Sequence, residues 1–257
     1  MRDPDSGWIQ LYPGEFALLW SELGLGDLPP TLEIRPRGRT ATARERLIEG
    51  ASATLAERDL GTVSRPARDL AGLLRQLAEA ELRVDLEVER ADFAFRAVAG
   101  SGRGGAVTAG FAGAELRIGP VRPTNLVPTM LEVLTPLDAG VGSPANVRVG
   151  DYTRACEQGE QGGTDGFIGV LRDAGLRPPE VNTLVRAVTK RAGGGQLGGS
   201  VRTRAGRWAR AQSPVGWVDT EEGRFALRRN GDWVTVTPVD LPRLHAMAEE
   251  LVADLAG

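Results

Sequence analysis

The stretch Gly113-Ala114-Glu115-Leu116-Arg117-Ile118-Gly119-Pro120-Val121 returns 118 residues later (231 minus 113) as Gly231-Asp232-Trp233-Val234-Thr235-Val236-Thr237-Pro238-Val239. In both copies a glycine permits the turn into a strand and alternate apolar residues face a core. A proline then ends the ladder before a helix. Leu126 and Leu244 keep the same spacing inside that helix. The match predicts a duplicated unit, with degenerate repeats at about 33–137 and 144–257. Residues 83–134 and 197–254 are expected to superpose by a near-two-fold rotation. Their strands would join one antiparallel sheet with one shared core. Convergence of two β–loop–α junctions on one pattern is the alternative.

Working outward, Leu82, Val84, Leu86 and Val88 alternate with Arg83, Asp85, Glu87 and Glu89, the period of a half-buried strand. Phe93, Phe95 and Ala97 continue the alternation. Gly100-Ser101-Gly102-Arg103-Gly104-Gly105 reads as a flexible loop before strand Ala106 to Phe111. Upstream, apolar residues at helical spacing predict helices over 42–58 and 66–82, the first carrying Leu47 and the second Leu70, Leu74 and Leu77. A further helix follows over 124–134. Trp8 to Leu11 and Phe16 to Trp20 suit a strand or a short buried helix. The Gly-, Ser- and Pro-containing segment 138–144 reads as a midpoint linker. Beyond it, helices are expected over 146–157, 165–174 and 178–191. Strands then follow over 196–204, 207–212, 216–219, 223–228 and 233–237, and an amphipathic helix over 242–255. The predicted core includes Leu47, Leu70, Leu74, Leu86, Phe95, Leu116, Ile118, Leu131, Val234, Val236 and Leu251.

Composition sets the class. The chain has 257 residues, 41% hydrophobic and 25% charged, an ordinary globular balance large enough to fold without metal or disulfide staples. Its 31 basic and 34 acidic residues leave a net charge of -3, so no global field favours nucleic acid or membrane. The lone Cys156 excludes an intrachain disulfide and suits a reducing compartment. The opening MRDPDSGWIQ lacks the basic start and apolar core of a signal peptide, and no apolar run is long enough to span a membrane. A cytoplasmic protein is expected.

Catalytic signatures are missing from the sequence. The glycine run is not followed by a GK[ST] element, and no G-x-S-x-G occurs. One histidine, His245, and one cysteine supply neither a zinc cluster nor a Cys–His dyad. No enzyme activity, metal or cofactor is expected. Arg202, Arg204, Arg207, Arg210, Arg224, Arg228 and Arg229 make the C-terminal strands basic, with Trp208, Trp217 and Trp233 interleaved. Alternation predicts arginines on the solvent face and tryptophans in the core. A protein interface, rich in Trp and Arg, or base stacking by a nucleic-acid-binding module are the functional alternatives.

Several segments resemble the EspG family of type VII (ESX) secretion-associated proteins from actinobacteria. They are Leu18 to Leu32 with Pro29-Pro30-Thr31-Leu32, the strand–loop–strand Phe93 to Ile118, the Leu126 to Leu134 helix, and Gly223-Arg-Phe-Ala-Leu-Arg-Arg-Asn-Gly-Asp-Trp-Val-Thr-Val-Thr-Pro. The resemblance covers almost the whole chain, residues 1–257, read as one domain. It implies an α+β fold with a central antiparallel β-sheet flanked by two helical bundles and a quasi-two-fold internal repeat. It further implies a cytosolic chaperone or adaptor that binds the helical tip of the PPE protein in a PE–PPE heterodimer. The resemblance implies partner contact by Gly102, Arg103 and Gly104 in the glycine-rich loop, and the Trp- and Arg-rich C-terminal strands add Arg207, Trp217 and Arg228 as candidate partner-binding residues.

Overall fold

A computed structural model of the chain describes residues 3, 5–35, 38 and 40–256. Part of the N-terminal segment read for a leader, Met1, Arg2 and Pro4, lies outside the described residues. The architecture is α+β, and the strands belong to one large antiparallel sheet. The chain divides into two compact units, Met1–Leu86 with Phe95–Met130 and Ser200–Ala209, and Glu87–Ala94 with Leu131–Gly199 and Arg210–Gly257.

The first unit follows the sequence β1 (Ile9–Leu11), α1 (Pro13–Glu22), α2 (Ala41–Ala56), α3 (Arg68–Ala78), β2 (Leu82–Arg90), β3 (Phe93–Gly102), β4 (Gly105–Ala112), β5 (Glu115–Val121) and α4 (Leu126–Leu131). Its strands are ordered β1-β5-β4-β3-β2. Alternation sends Val98, Val107, Ala109, Leu116 and Ile118 to one face, where they meet Phe16, Leu19 and Trp20 of α1 and Leu70, Leu74 and Leu77 of α3. Helix α2 starts where Thr40 Oγ1 accepts a hydrogen bond from the Ala43 amide at 3.2 Å. Helix α1 starts at Pro13, with Glu15 accepting from the Tyr12 amide at 2.8 Å. Glu15 is itself buried. It is held by an ion pair to Arg58 and by the Thr54 hydroxyl, which donates at 2.6 Å.

The second unit contains β6 (Ala145–Arg148), α5 (Val149–Asp173), α6 (Pro178–Val188), most of β7 (Arg191–Arg202), the last residue of β8 (Trp208–Arg210), β9 (Val215–Thr220), β10 (Gly223–Asn230), β11 (Trp233–Pro238) and α7 (Leu241–Ala256). Its strand order is β7-β9-β10-β11-β6, and β8 pairs with β7. Ala145, Val147, Phe225 and Val236 pack on Ala155, Phe167 and Leu171 of α5 and Val181 and Leu184 of α6. Gly163, at φ 64° and ψ −159°, breaks α5 inside the gap left between two expected helices.

Three differences from expectation have local causes. The helix expected over 66–82 stops at Ala78, where the chain must turn into β2. The segment expected to open a helix at Asn146 is instead strand β6, whose Ala145 and Val147 pair with Val236 and Val234 of β11. Of the expected core, Leu47 is 37% exposed, since only part of the helix face it shares is covered, and Phe95 and Val234 are half-buried.

Candidate functional site

The glycine run 100–105 is a tight hairpin rather than a flexible loop. Gly102 pairs with Gly105, so Arg103 and Gly104 alone make the turn between β3 and β4. A Cβ on Gly100 would sit 2.8 Å from the Ala80 Cβ, so the glycine admits the chain leaving α3. The Gln76 side-chain amide donates to the Gly104 carbonyl at 3.1 Å and ties the turn to α3. The Arg103 side chain projects from the tip, 95% exposed, with Nε 3.5 Å from Glu81 Oε1. Arg207 is also exposed. It lies in the turn before β8, where the Thr203 hydroxyl donates to the Arg207 carbonyl at 2.9 Å.

Trp208 is clasped between two guanidinium groups, with Arg83 4.2 Å and Arg202 4.9 Å from its ring centre. Both arginines donate to the end of α3, Arg83 to the Leu77 carbonyl at 3.1 Å and Arg202 to the Ala78 carbonyl at 2.7 Å. These are orphan C-terminal carbonyls at the negative end of the helix dipole. Burial, aided by repulsion from Arg202, pushes the Arg83 guanidinium down to about 10. The cluster thus closes a helix end, which accounts for this Trp and for Arg202 among the basic residues of the C-terminal strands.

In the second unit, Trp217 is only 2% exposed and presents no contact surface. A Cβ on Gly195 would lie 2.5 Å from its indole ring, so part of the glycine-rich β7 is the seat of that ring. Arg228 is half-buried on β10, 3.7 Å from Glu250 and 4.0 Å from Asp254 of α7. Arg224, expected on the solvent face, is fully buried. Its Nε and Nη2 donate to the two oxygens of Asp219 at 2.6 and 3.2 Å, and Nη2 also donates to the Thr135 carbonyl at 3.2 Å. The Arg224 backbone amide donates to the Asp138 carbonyl at 2.9 Å, fastening the midpoint linker to β10. Trp233, expected in the core, is 43% exposed, with the Arg148 guanidinium 4.8 Å from its ring centre.

Each unit also carries an open cavity on the sheet face away from its main core. The first unit's measures about 740 Å³ and is lined by Trp8, Ile9, Phe95, Phe111, Arg117 and Met130, among others. The second unit's, about 610 Å³, is lined by Ala226, Arg228, Thr235, Met247, Leu251 and Leu255, among others. The aromatic lining of the first was not recognisable in the sequence, because Phe95 carries the alternation expected of a core position.

Among the described residues, no group of three or more His, Cys, Asp or Glu side chains is placed to hold a metal ion. Burial raises the Cys156 thiol above its usual range, and burial with the adjacent Cys156 pushes the Tyr152 phenol up to about 12. Neither is tuned toward an ionised nucleophile at neutral pH. No helix among the described residues is long and apolar enough to cross a membrane.

The model of the EspG family matches residues 13–250. Among solved structures, the chain is similar to the type VII secretion system chaperone EspG5 of Mycobacterium tuberculosis, determined in complex with a PE25-PPE41 dimer. The TM-score is 0.78 at 19% sequence identity, over 96% of each chain. No curated protein matches.

Proposed function

Because the chain belongs to the EspG family, we propose that it is a cytoplasmic chaperone of type VII secretion that binds a PE–PPE-type heterodimer. The supporting observation is the family match over residues 13–250, accompanied by the fold shared with EspG5 along 96% of both chains. The work is binding, without a chemical step. An apolar helical tip that would aggregate when free is covered until the secretion machinery receives it. Gly102, Arg103, Gly104, Arg207 and Arg228 are the proposed contact positions, and the exposed Arg103 offers charge-assisted hydrogen bonds to a carboxylate or carbonyl.

Co-expression with candidate PE–PPE-type pairs, followed by purification on a tag carried by the chaperone, tests this. A stoichiometric ternary complex that survives gel filtration is expected. Failure to retain any such pair, together with salt-sensitive retention on heparin, would favour nucleic-acid binding instead.

A further inference from the structure

The two open cavities are one feature at two stages of filling. At a constant spacing of 118 residues (226 minus 108), Thr108, Gly110, Phe111, Arg117 and Thr129 of the first correspond to Ala226, Arg228, Arg229, Thr235 and Met247 of the second. In the second unit, α7 (16 residues) lies over this face, burying Leu244, Met247, Ala248 and Leu251. In the first unit the equivalent helix α4 has 6 residues. It starts well, with Leu126, Val127, Met130 and Leu131 buried. The helix ends at Leu131 in a turn over residues 132–134, and Pro136 disfavours helical geometry at Thr135 beyond it. A one-turn 3-10 helix over Pro123–Asn125 matches the start of α7, so the missing part corresponds to residues 132–138, about 10 Å of helix at about 1.5 Å per residue.

Charge complementarity says what the vacant part accepts. In the second unit the cross-strand pair Arg228–Thr235 puts one arginine on this face, and α7 sets Glu250 and Asp254, one turn apart, beside it. Arg228 also faces Val215 across β9, and Thr235 faces Asn146 of β6. In the first unit the corresponding pair is Gly110–Arg117, so the arginine sits on the neighbouring strand. Arg117 is exposed and makes no ion pair among the described residues. Gly110 gives the Phe95 ring its place on this face, since an added Cβ would lie 3.2 Å from Phe95 Cζ and 2.9 Å from the Ala97 Cβ.

We infer that this face of the first unit is a helix seat, completed by an amphipathic helix of the client. The client helix presents an apolar stripe to Phe95 and Met130 and a carboxylate to Arg117, as α7 does on its own side. Helix-in-groove docking of this kind reads apolar anchors at i, i+3, i+4 and i+7. The identity of the client rests on the chaperone reading above, whereas the shape and charge of the seat do not.

The test has two arms. In the first, a fluorescein-labelled peptide of residues 241–256, the chain's own helix of this kind, is titrated into the purified protein. Saturable binding to wild type is expected, weakened about tenfold or more by Thr129→Trp, which fills the seat from its rim without touching the ladder. The Arg117→Glu protein is expected to lose about tenfold, chiefly in association rate and less at high salt, with Arg117→Lys restoring most of it. Both variants should keep the wild-type unfolding midpoint. No saturable binding, or binding indifferent to all variants, overturns the seat.

In the second arm, the same variants are measured by calorimetry against a PE–PPE-type pair that co-purifies with wild type. Weakened affinity for both Thr129→Trp and Arg117→Glu is expected. Unchanged affinity overturns the seat while leaving the chaperone reading intact. If no pair co-purifies, the chaperone reading and the client helix fail together, while the peptide arm still tells whether the seat takes a helix. A dimer of this chain abolished by Thr129→Trp would assign the seat to a second copy and also overturn the inference.

Discussion

In the first unit Gly102 pairs with Gly105 and Val107 with Pro120; in the second, 118 residues on (220 minus 102), Thr220 pairs with Gly223 and Phe225 with Pro238. The backbone agrees as well as the register. Gly105 and Gly223 sit at φ 107° and 115°, and Gly113 and Gly231 at φ 69° and 56°. The outer strands follow suit, Ile9 facing Ile118 and Ala145 facing Val236. These shared registers fit the proposed duplication, for which β1 and β6 are the matching outer strands. What separates the two ladders is their content. The second holds a buried ion pair at Asp219 and Arg224, where the first has Ser101 and Ala106, and it carries a full-length helix on its outer face. The difference teaches that register is held more strictly than filling, because a one-residue slip would turn every side chain to the wrong face.

The largest expected effect comes from breaking what only the second ladder has. Asp219→Ala leaves the fully buried Arg224 without its carboxylate and should cost about 3–5 kcal/mol in denaturant unfolding. The Asp219→Leu/Arg224→Met double variant should recover most of that loss; no recovery would mean that the charges themselves hold the linker at 135–140.

Next, Leu251→Ala in α7 should cost about 2–5 kcal/mol by leaving a cavity in a filled seat. Val133→Ala, its counterpart by spacing (251 minus 118), should cost less than about 1 kcal/mol, since Val133 is half-buried beyond the end of α4. Equal costs would contradict the contrast between filled and vacant faces.

The shared turn sharpens the comparison from the other side. At Gly113 and Gly231 an added Cβ meets nothing within 4 Å, so only the positive φ resists substitution. Gly113→Ala and Gly231→Ala should therefore each cost about 1–2 kcal/mol, and by similar amounts. Widely different values would argue for convergence of two junctions.

The smallest effect on folding is expected at the hairpin tip. Arg103→Glu alters a side chain that is 95% exposed, so its thermal midpoint should match wild type. Its affinity for a co-purifying PE–PPE-type pair should fall; unchanged affinity by calorimetry would remove the hairpin from the interface.

Alternation by itself located β2 to β5 and β9 to β11, and helical spacing located α3 and α7, because each element buries one face and the periods of two and 3.6 are written into the apolar residues. The 118-residue echo made the two ladders visible before any coordinates. The sequence could not show why glycines are where they are. Gly100 reads as part of a flexible loop, yet it sits in β3 and makes room for Ala80, and Gly195 in β7 makes room for the Trp217 ring. That requirement belongs to a neighbour distant in sequence. Strand β6, four residues with two apolar side chains, exists because β11 offers it a ladder. Arg224 is buried because Asp219 and the Thr135 carbonyl receive it, and Trp217 is withdrawn from the surface by its glycine seat. Local pattern determined which segments become helix or strand. Tertiary packing alone decided which charges are enclosed, which aromatic rings are exposed, and which sheet face is left open, because those outcomes depend on what the rest of the chain brings against each side chain.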